Sequence, residues 1–599
     1  MRELTVPPLV TVADEENLTD VVWRHAEEYP DTVQFSRRRD TEWESVTIRQ
    51  FRDEVVAVAR GLVAAGVGAG DRVGLMSKTR YEWTLFDYAI WAAGAITVPI
   101  YETSSADQVA WILADSGAVG VVVETAEHAA LVSTARDESP ALKHVWTIDE
   151  DAVGTLVAGG GSVSPETVEE RRSSRGADDM ATLIYTSGTT GRPKGCQLTH
   201  RNLYSDIANA VPGLLPLFNE RSSTLLFLPL AHAFARIVQL GAVQARARMG
   251  HTGDVKNLLP DLASFRPTFL LSVPRVFEKV YNGAKQKAYA EGDAKGRIFE
   301  RAERVAIAYS KGLDAGRIGA GVRLQHAIFD KLVYAKLRAA MGGQCRYAIS
   351  GGAPLGERLA HFFRGVGITV FEGYGLTETS PVISVNDQDH GKIGTVGRPI
   401  PGSSVRIADD GELCVKADYV FTGYWNNEKA TAEAFDDEGY FHTGDLAELD
   451  DDGFLTITGR KKEIIVTAGG KNVAPATLED RVRSHPLVSQ CMVVGDRQPF
   501  IAALVTLDPE ALPDWLRNHG RKPNTDAAAL IDDEEIRAEI QSAVDEANKA
   551  VSRAESIKVF RVLPRDFSEE TGEMTPSLKV KRGVVLKQYA AEIDAIYTR

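Results

Sequence analysis

The segment Tyr185-Thr186-Ser187-Gly188-Thr189-Thr190-Gly191-Arg192-Pro193-Lys194-Gly195 is dense in hydroxyls and glycines. Free backbone N–H groups in such a loop, flanked by serine and threonine hydroxyls, are equipment for wrapping phosphate oxygens. Lys194 adds a cation on a long stem. The order GxxxxGK[ST] is absent, and Gly195 rather than a hydroxyl residue follows the lysine, so this is not a Walker A loop. Strand-like sequence leads in from Thr182 and helix-like sequence leads out from Thr199. The loop must therefore hang at the end of a strand.

Composition bounds the scaffold that can hold it. The chain has 599 residues, too many for one core. At about 150 residues per domain it fits about four packing units, or one large α/β domain with a smaller companion. Hydrophobic residues at 44% and charged residues at 25% exclude disorder and collagen-like repeats. A net charge of −15 argues against a nucleic-acid partner, so anionic substrates must meet locally placed cations. Cys196, Cys345, Cys414 and Cys491 are far apart, with no CxxC pair or zinc spacing, which implies a reduced, cytoplasmic setting. The first residues lack the apolar run of a secretory signal. The most apolar stretch, 88–100, is interrupted by Gly94 and Pro99 and is too short to span a bilayer. Membrane contact is expected only as peripheral contact on the inner face.

Hydrophobic spacing predicts helices over 51–66, 83–95 and 106–118, and strands over 72–76, 96–101, 119–124 and 144–148. Such alternation implies βαβ units and a mostly parallel sheet. Residues 151–180, with Gly159-Gly160-Gly161, read as a surface linker. Further strands are expected at 182–186, 225–228, 268–273, 347–350 and 369–372. The 297–341 region is helix-rich and carries no obvious chemistry. From Ser404 the texture changes to short strands at 405–408, 412–416 and 454–458, with a turn at Asp451-Asp452-Gly453. The tail from about Glu463 has strands at 492–494 and 501–505 and a long helix over 534–553, as a separate small domain would.

The Gly-rich segment closely resembles the phosphate loop of adenylate-forming enzymes, the superfamily of acyl-CoA synthetases, peptide-synthetase adenylation domains and firefly luciferase. Other motifs follow in the family's order: Gly351-Gly352-Ala353-Pro354, Tyr374-Gly375-Leu376-Thr377-Glu378-Thr379, Thr443-Gly444-Asp445, Gly459-Arg460-Lys461-Lys462 and Leu578-Lys579-Val580-Lys581-Arg582. The resemblance runs from about Val21 to the end and rests on several motifs in sequence, unlike a lone match. It implies an α/β fold in which a large N-terminal domain of stacked α/β subdomains and a β-rich subdomain (1–458) is followed by a hinge (459–462). A small mobile C-terminal α+β domain (463–599) carries the catalytic lysine.

ATP, Mg²⁺ and coenzyme A are the implied cofactor and co-substrates. Thr186, Ser187, Gly188, Thr189, Thr190 and Lys194 would hold phosphates. Tyr374 would stack on adenine, with backbone at Gly352, Ala353 and Pro354 reading the base edge. Glu372, Gly373, Gly375 and Arg460 complete the expected nucleotide contacts, and Thr377 would donate to the α-phosphate. Glu378 is a hard oxygen ligand suited to Mg²⁺, with Thr186 as a second. Asp445 would accept both ribose hydroxyls. Lys579 resembles the family's adenylation lysine, Lys462 the torsion-changing hinge residue, and His232 a residue lining the acyl pocket and thiol approach. His200 and His442 read as structural.

Three stretches resemble the long-chain fatty acyl-CoA synthetase branch: Val98–Ser105, Ser272–Val280, and Phe329–Val333 leading into Arg346–Ser350. The Pro229–Arg236 segment agrees, and for such an enzyme the helix-rich 297–341 region offers room for an acyl tunnel. The resemblance implies that a fatty carboxylate attacks the α-phosphorus of ATP, giving acyl-AMP and pyrophosphate. Rotation about the hinge then lets the CoA thiol displace AMP. A fatty acyl-AMP ligase loading a carrier protein and a medium-chain synthetase are the alternatives. The former carries an insertion that the stretch between Thr379 and Thr443 does not show. A serine acyl hydrolase is excluded by the absence of GxSxG. No signature of oligomeric state is present.

Overall fold

The computed structural model describes residues 1–40, 42–186, 192–254, 257–575 and 579–598. Arg72–Met76 lies between parallel neighbours Ile96–Ile100 and Gly120–Val123, with His144–Thr147 beyond. Ile96–Ile100 and Gly120–Val123 are buried along their whole length, as parallel strands covered by helices on both faces must be. The covering helices are locally specified. Thr47 and Gln50 form a capping box at the start of Ile48–Ala64, and Ser105 and Gln108 do the same for Ala106–Ser116. Met180–Thr186 extends this sheet in parallel and then pairs antiparallel with Lys194–Thr199. Thr186 and Lys194 are register partners. Ser187, Gly188, Thr189 and Thr190, between them, lie outside the described residues.

A second sheet of nine strands has Ser223–Leu226, Phe269–Ser272, Tyr347–Ser350 and Thr369–Gly375 in parallel at its centre. One core joins the two sheets through Phe35, Leu75, Phe86, Trp91, Phe269 and Ile349. A five-stranded antiparallel sheet with its own core of Val405, Leu413, Val415 and Leu455 includes Phe441–Leu449 and Leu455–Arg460. Beyond it, Val488–Val494, Ile501–Leu507 and Ile557–Val562 form a small sheet against the helix Glu534–Asn548. The molecule is thus α/β, with β-rich and α+β parts after the stacked α/β layers. Among the described residues, no helix is long and apolar enough to cross a membrane.

Three expectations are corrected. Residues 151–180 are not a linker: they form the helices Ala152–Gly159 and Pro165–Ser173 with a tight turn between them. Within the glycine run, Gly160 serves close packing against Gly61, while Gly159 and Gly161 face open space. A Cβ on Gly61 would stand 2.2 Å from the Leu156 carbonyl oxygen, and one on Gly160 would stand 2.9 Å from the Gly61 nitrogen. The long C-terminal helix stops at Asn548, whose side-chain amide is spent on the Ile557 backbone at 2.8 and 3.0 Å. The 297–341 helices pack around Phe299, Ala306 and Tyr334 and contribute nothing to the cavity described next.

Candidate active site

A cavity of about 860 Å³ opens where both large sheets present the carboxyl ends of their strands. Such crevices are where open α/β sheets place ligands. Its wall includes Thr186 at the end of one strand, Ile349 and Gly351 at another, and Gly373 to Glu378 at a third. The β-rich sheet contributes Glu412, Thr443, Gly444 and Arg460, and the C-terminal domain contributes Thr575 and Lys579. Among the described residues five cations reach the wall, Lys194, Arg460, Lys461, Lys462 and Lys579, in a chain whose net charge is −15. The acids Asp206, Glu378, Glu412, Glu433 and Glu463 share that wall, so an anionic substrate is met by individually placed cations rather than by a net positive surface.

Each cation has a distinct setting. The Lys194 Nζ lies 4.9 Å from the centre of the Tyr424 ring, and the Tyr424 hydroxyl donates to Glu378 Oε1 at 2.9 Å. One aromatic residue therefore spaces the loop lysine from the candidate metal ligand. Arg460 Nε donates to Asp445 Oδ1 at 2.8 Å, while the Tyr374 hydroxyl donates to Asp445 Oδ2 at 2.6 Å. Asp445 itself is buried and set behind the wall. Lys461 bonds Glu412 at 2.8 Å and Asp410 at 2.5 Å. Lys579 is reachable by solvent because it stands in an open cavity, yet protein surrounds it, and this desolvation lowers its pKa. Arg460 pushes in the same direction, while Asp445 and Glu378 partly oppose it.

His232 caps the helix Ala233–Gln244, and its Nδ1 accepts the Phe234 N–H at 3.1 Å. That bond leaves the ring proton on Nε2. Burial, helped by Lys579, lowers its pKa to about 4, so the imidazole is neutral at pH 7. Although partly open to the cavity by surface area, the ring is walled in by protein, which is why desolvation dominates. Beyond His232 the wall turns apolar: Ile207, Val211, Leu214, Phe218, Ile237 and Val238, with Gly241 among them.

Several residues singled out in the sequence stand elsewhere. Glu372 is not on the cavity wall; it is buried, its carboxyl pKa is raised by burial, and it accepts the Leu355 N–H at 2.9 Å. It braces the Gly351–Leu355 turn from behind. Gly352 is on the wall with φ +81°, whereas Ala353 and Pro354 are exposed beside it. His200 is buried against Trp91 away from the cavity, with its pKa lowered to about 3 by burial. His442 lines the cavity with its Nδ1 3.2 Å from Glu412. Tyr424 and Trp111 were missed. Trp111 Nε1 donates to the Pro193 carbonyl at 2.9 Å, and Arg192 lies over its ring at 4.6 Å. No sequence signal marks either residue, because the contacts they make are distant along the chain.

Comparison with known proteins identifies the scaffold. Residues 22–425 match the family described as AMP-binding enzyme, and 462–599 match the AMP-binding enzyme C-terminal domain. The chain belongs to the AMP-binding enzyme family. A relative named long-chain-fatty-acid–CoA ligase FadD15, from Mycobacterium tuberculosis, is 52% identical over the full length of both chains. The human long-chain-fatty-acid–CoA ligase ACSBG1 is 30% identical, with 95% of this AMP-binding enzyme and 84% of the relative covered. Among solved structures, the anthranilate CoA ligase AuaEII in complex with anthranoyl-AMP superposes with a TM-score of 0.72 at 20% identity. That match covers 96% of this chain and 98% of the other. The adenylation domain of a carboxylate reductase from Mycobacterium chelonae gives 0.75 at 21% identity, with coverage of 98% and 91%. These two likenesses establish the fold of this AMP-binding enzyme.

Proposed function

We propose that this enzyme activates long-chain fatty acids with ATP and passes the acyl group to coenzyme A. The observation that carries the proposal is one cavity in which Lys579 of the C-terminal domain meets Thr186, Glu378 and His232, with an apolar branch beyond. Full-length likeness to relatives named CoA ligases supports CoA, rather than a carrier protein, as acceptor. Four free, buried cysteines support a cytoplasmic setting.

In the first half-reaction a carboxylate oxygen attacks the α-phosphorus, the bond to the bridging oxygen breaks, and pyrophosphate leaves with the electron pair. Lys194 neutralises the leaving group and Lys579 the charge building at carboxylate and α-phosphate. Neutral His232 offers its Nε2–H to orient the carboxylate. Tyr374 and Gly352 would seat the base. Thr377 would donate to the α-phosphate, and Asp445 would take the ribose hydroxyls once Arg460 or Tyr374 turns aside and opens its carboxylate to the cavity. In the second half-reaction the CoA sulfur attacks the acyl carbonyl and AMP departs. We place the hinge for the intervening rotation at 459–462, with Lys462 as pivot, between a large domain ending at 458 and a small one from 463.

For Mg²⁺ the donor set fits a shared site. Among the described residues no group of three His, Cys, Asp or Glu is gathered into a cage. Glu378 and Thr186 do supply hard oxygens on the cavity wall, which suits a metal that completes its shell with waters and nucleotide phosphates. When bound, it supplies charge neutralisation on those phosphates. Glu378→Ala is therefore expected to raise the Mg²⁺ concentration needed for half-maximal pyrophosphate release by about tenfold, of the order expected on losing a metal's protein partner. An unchanged Mg²⁺ dependence would remove Glu378 from this role.

Chain length is set, on this reading, by the apolar branch. A Cβ on Gly241 would stand 3.2 Å from the Phe218 ring and 3.5 Å from Val211, so a larger side chain must occupy the branch. Gly241→Leu is expected to cut activity on palmitate at least about tenfold relative to octanoate. Parallel loss on both acids would move the acyl branch elsewhere. The reading as a whole is tested by measuring AMP and acyl-CoA across free fatty acids from short to very long. Release of phosphate instead of pyrophosphate, or a maximum at short acids, overturns it.

A further inference from the structure

We propose that the outer face of the helical segment 315–340 is a docking surface for a bilayer carrying anionic lipid. The segment runs through the helix Ala320–Phe329, a wider turn at Asp330–Tyr334 and the helix Ala335–Ala340. Its inner face packs Phe329, Tyr334 and Leu337 into the core around Phe299 and Phe362. The outer face presents Leu324, Ile328 and Leu332, exposed by 65%, 49% and 53%. Spaced four apart, these side chains follow one another along a single stripe. A stripe of large apolar residues left in water marks an interaction surface, whereas apolar residues scattered singly do not.

The charges beside the stripe decide the partner. Residues 315–340 contain Arg317, Arg323, Lys331, Lys336 and Arg338 against Asp330 alone, in a chain of net charge −15. Asp330 is bonded to Arg338 at 2.7 Å. Of the neighbouring acids, Asp314 is bonded to Arg364 at 2.6 Å and Glu291, within electrostatic reach of Lys336, to Lys295 at 2.8 Å. No ion pair engages Arg317, Arg323, Lys331 or Lys336 among the described residues, and all four are exposed. An apolar stripe edged by unpaired cations is the pattern of a helix that lies in the interface of an anionic membrane. A second copy of this acidic chain would gain less. The same face would have to meet itself, cation against cation, or form a head-to-tail contact with a different face, which does not close a dimer. Each cation near an anionic surface contributes roughly fivefold to partitioning, so four of them with three apolar side chains give measurable binding.

The test is flotation of the full-length protein, without ATP or CoA, on vesicles of phosphatidylcholine alone or with about 30 mol % phosphatidylglycerol, close to an anionic cytoplasmic leaflet. The expected result is binding to the anionic vesicles, little to the neutral ones, and loss on raising salt. Leu324→Glu/Ile328→Glu/Leu332→Glu should reduce that binding at least about tenfold. A separate variant with Arg317, Arg323, Lys331 and Lys336 changed to Gln should also lose most of it. Both variants should activate fatty acid supplied in solution at the unmodified rate, which shows that they are folded. Wild-type binding unaffected by either variant, or no binding to anionic vesicles, overturns the proposal. So does a wild-type dimer that the apolar variant converts to monomer without any vesicle binding. No fatty acid enters the binding assay, so its failure is distinguishable from failure of the proposed activity.

Discussion

Replacing Lys579 with alanine is expected to slow acyl-AMP formation by about 10²–10³-fold, the usual cost of losing one donor aimed at developing charge. Thioester formation from supplied acyl-AMP should stay within a few-fold of the unmodified enzyme. The asymmetry follows from position. Lys579 belongs to the C-terminal domain, and in this arrangement it shares a cavity with Glu378 and Thr186 of the large domain. The docked arrangement is braced by Arg275 on Asp508 and by Lys279 on Glu510 at 2.8 Å. On the proposed rotation, release of those contacts withdraws the lysine from the cavity before the second step.

The pH profile supplies a second reading of the same residue. Desolvation, then Arg460, lowers the Lys579 pKa. On the proposed role its charged form is the working one, so adenylation should fall as pH rises through that lowered value, earlier than an ordinary lysine would allow. The alanine variant should lack this limb. Between the lowered folded pKa and the ordinary lysine value the unfolded chain holds more protons, so stability rises with pH through that window, and below it the charge on Lys579 opposes folding in full. The variant should therefore be no less stable at neutral pH. Equal losses in both half-reactions would show that the lysine serves a structural or later role.

Much of this site was legible because its chemistry is carried by contiguous residues. The strands at Arg72–Met76, Tyr347–Ser350 and Glu412–Lys416 have the bounds that their apolar runs predict. Turn and loop residues mark the ends at which Thr186, Gly352 and Glu378 emerge. What was illegible depends on approach between distant segments. A glycine run reads as a loop unless it is known that Gly61 and Gly160 face one another across two helices. The sequence shows that Glu372 precedes Tyr374, but not that Leu355 turns back to meet its carboxylate. Tyr424 carries no motif of its own; antiparallel pairing of Gly423–Tyr424 with Cys196 and Gln197 brings it beside Lys194 and Glu378. The apolar branch proposed for the acyl chain is likewise lined from 207–241, and not from the helix-rich region in which the sequence left room for a tunnel.

The largest expected stability effect lies one shell away from the cavity, at Arg236. Its guanidinium is fully buried between Trp83 and Trp91, with ring centres 5.5 and 5.0 Å away. It makes a two-pronged bond to buried Asp87 at 2.9 and 2.5 Å and a third bond to the Thr182 hydroxyl at 2.7 Å. These bonds tie the helix Ala233–Gln244 to the helix Tyr81–Ala92 and to the strand that ends at Thr186. Arg236→Leu removes one charge and leaves Asp87 buried without its partner, which is expected to cost about 3–5 kcal/mol. Because His232 caps the same helix and Ile237, Val238 and Gly241 line the apolar branch, activity on long acids should fall along with stability. Changing both partners to apolar residues, Asp87→Leu with Arg236→Met, should recover a substantial part of the stability, since no uncompensated charge then remains inside. Hydrogen exchange in Ala233–Gln244 reads this local stability without requiring the whole chain to unfold in one step. Protection unchanged by Arg236→Leu would mean that the helix is held by apolar packing alone and that the ion pair does not position His232.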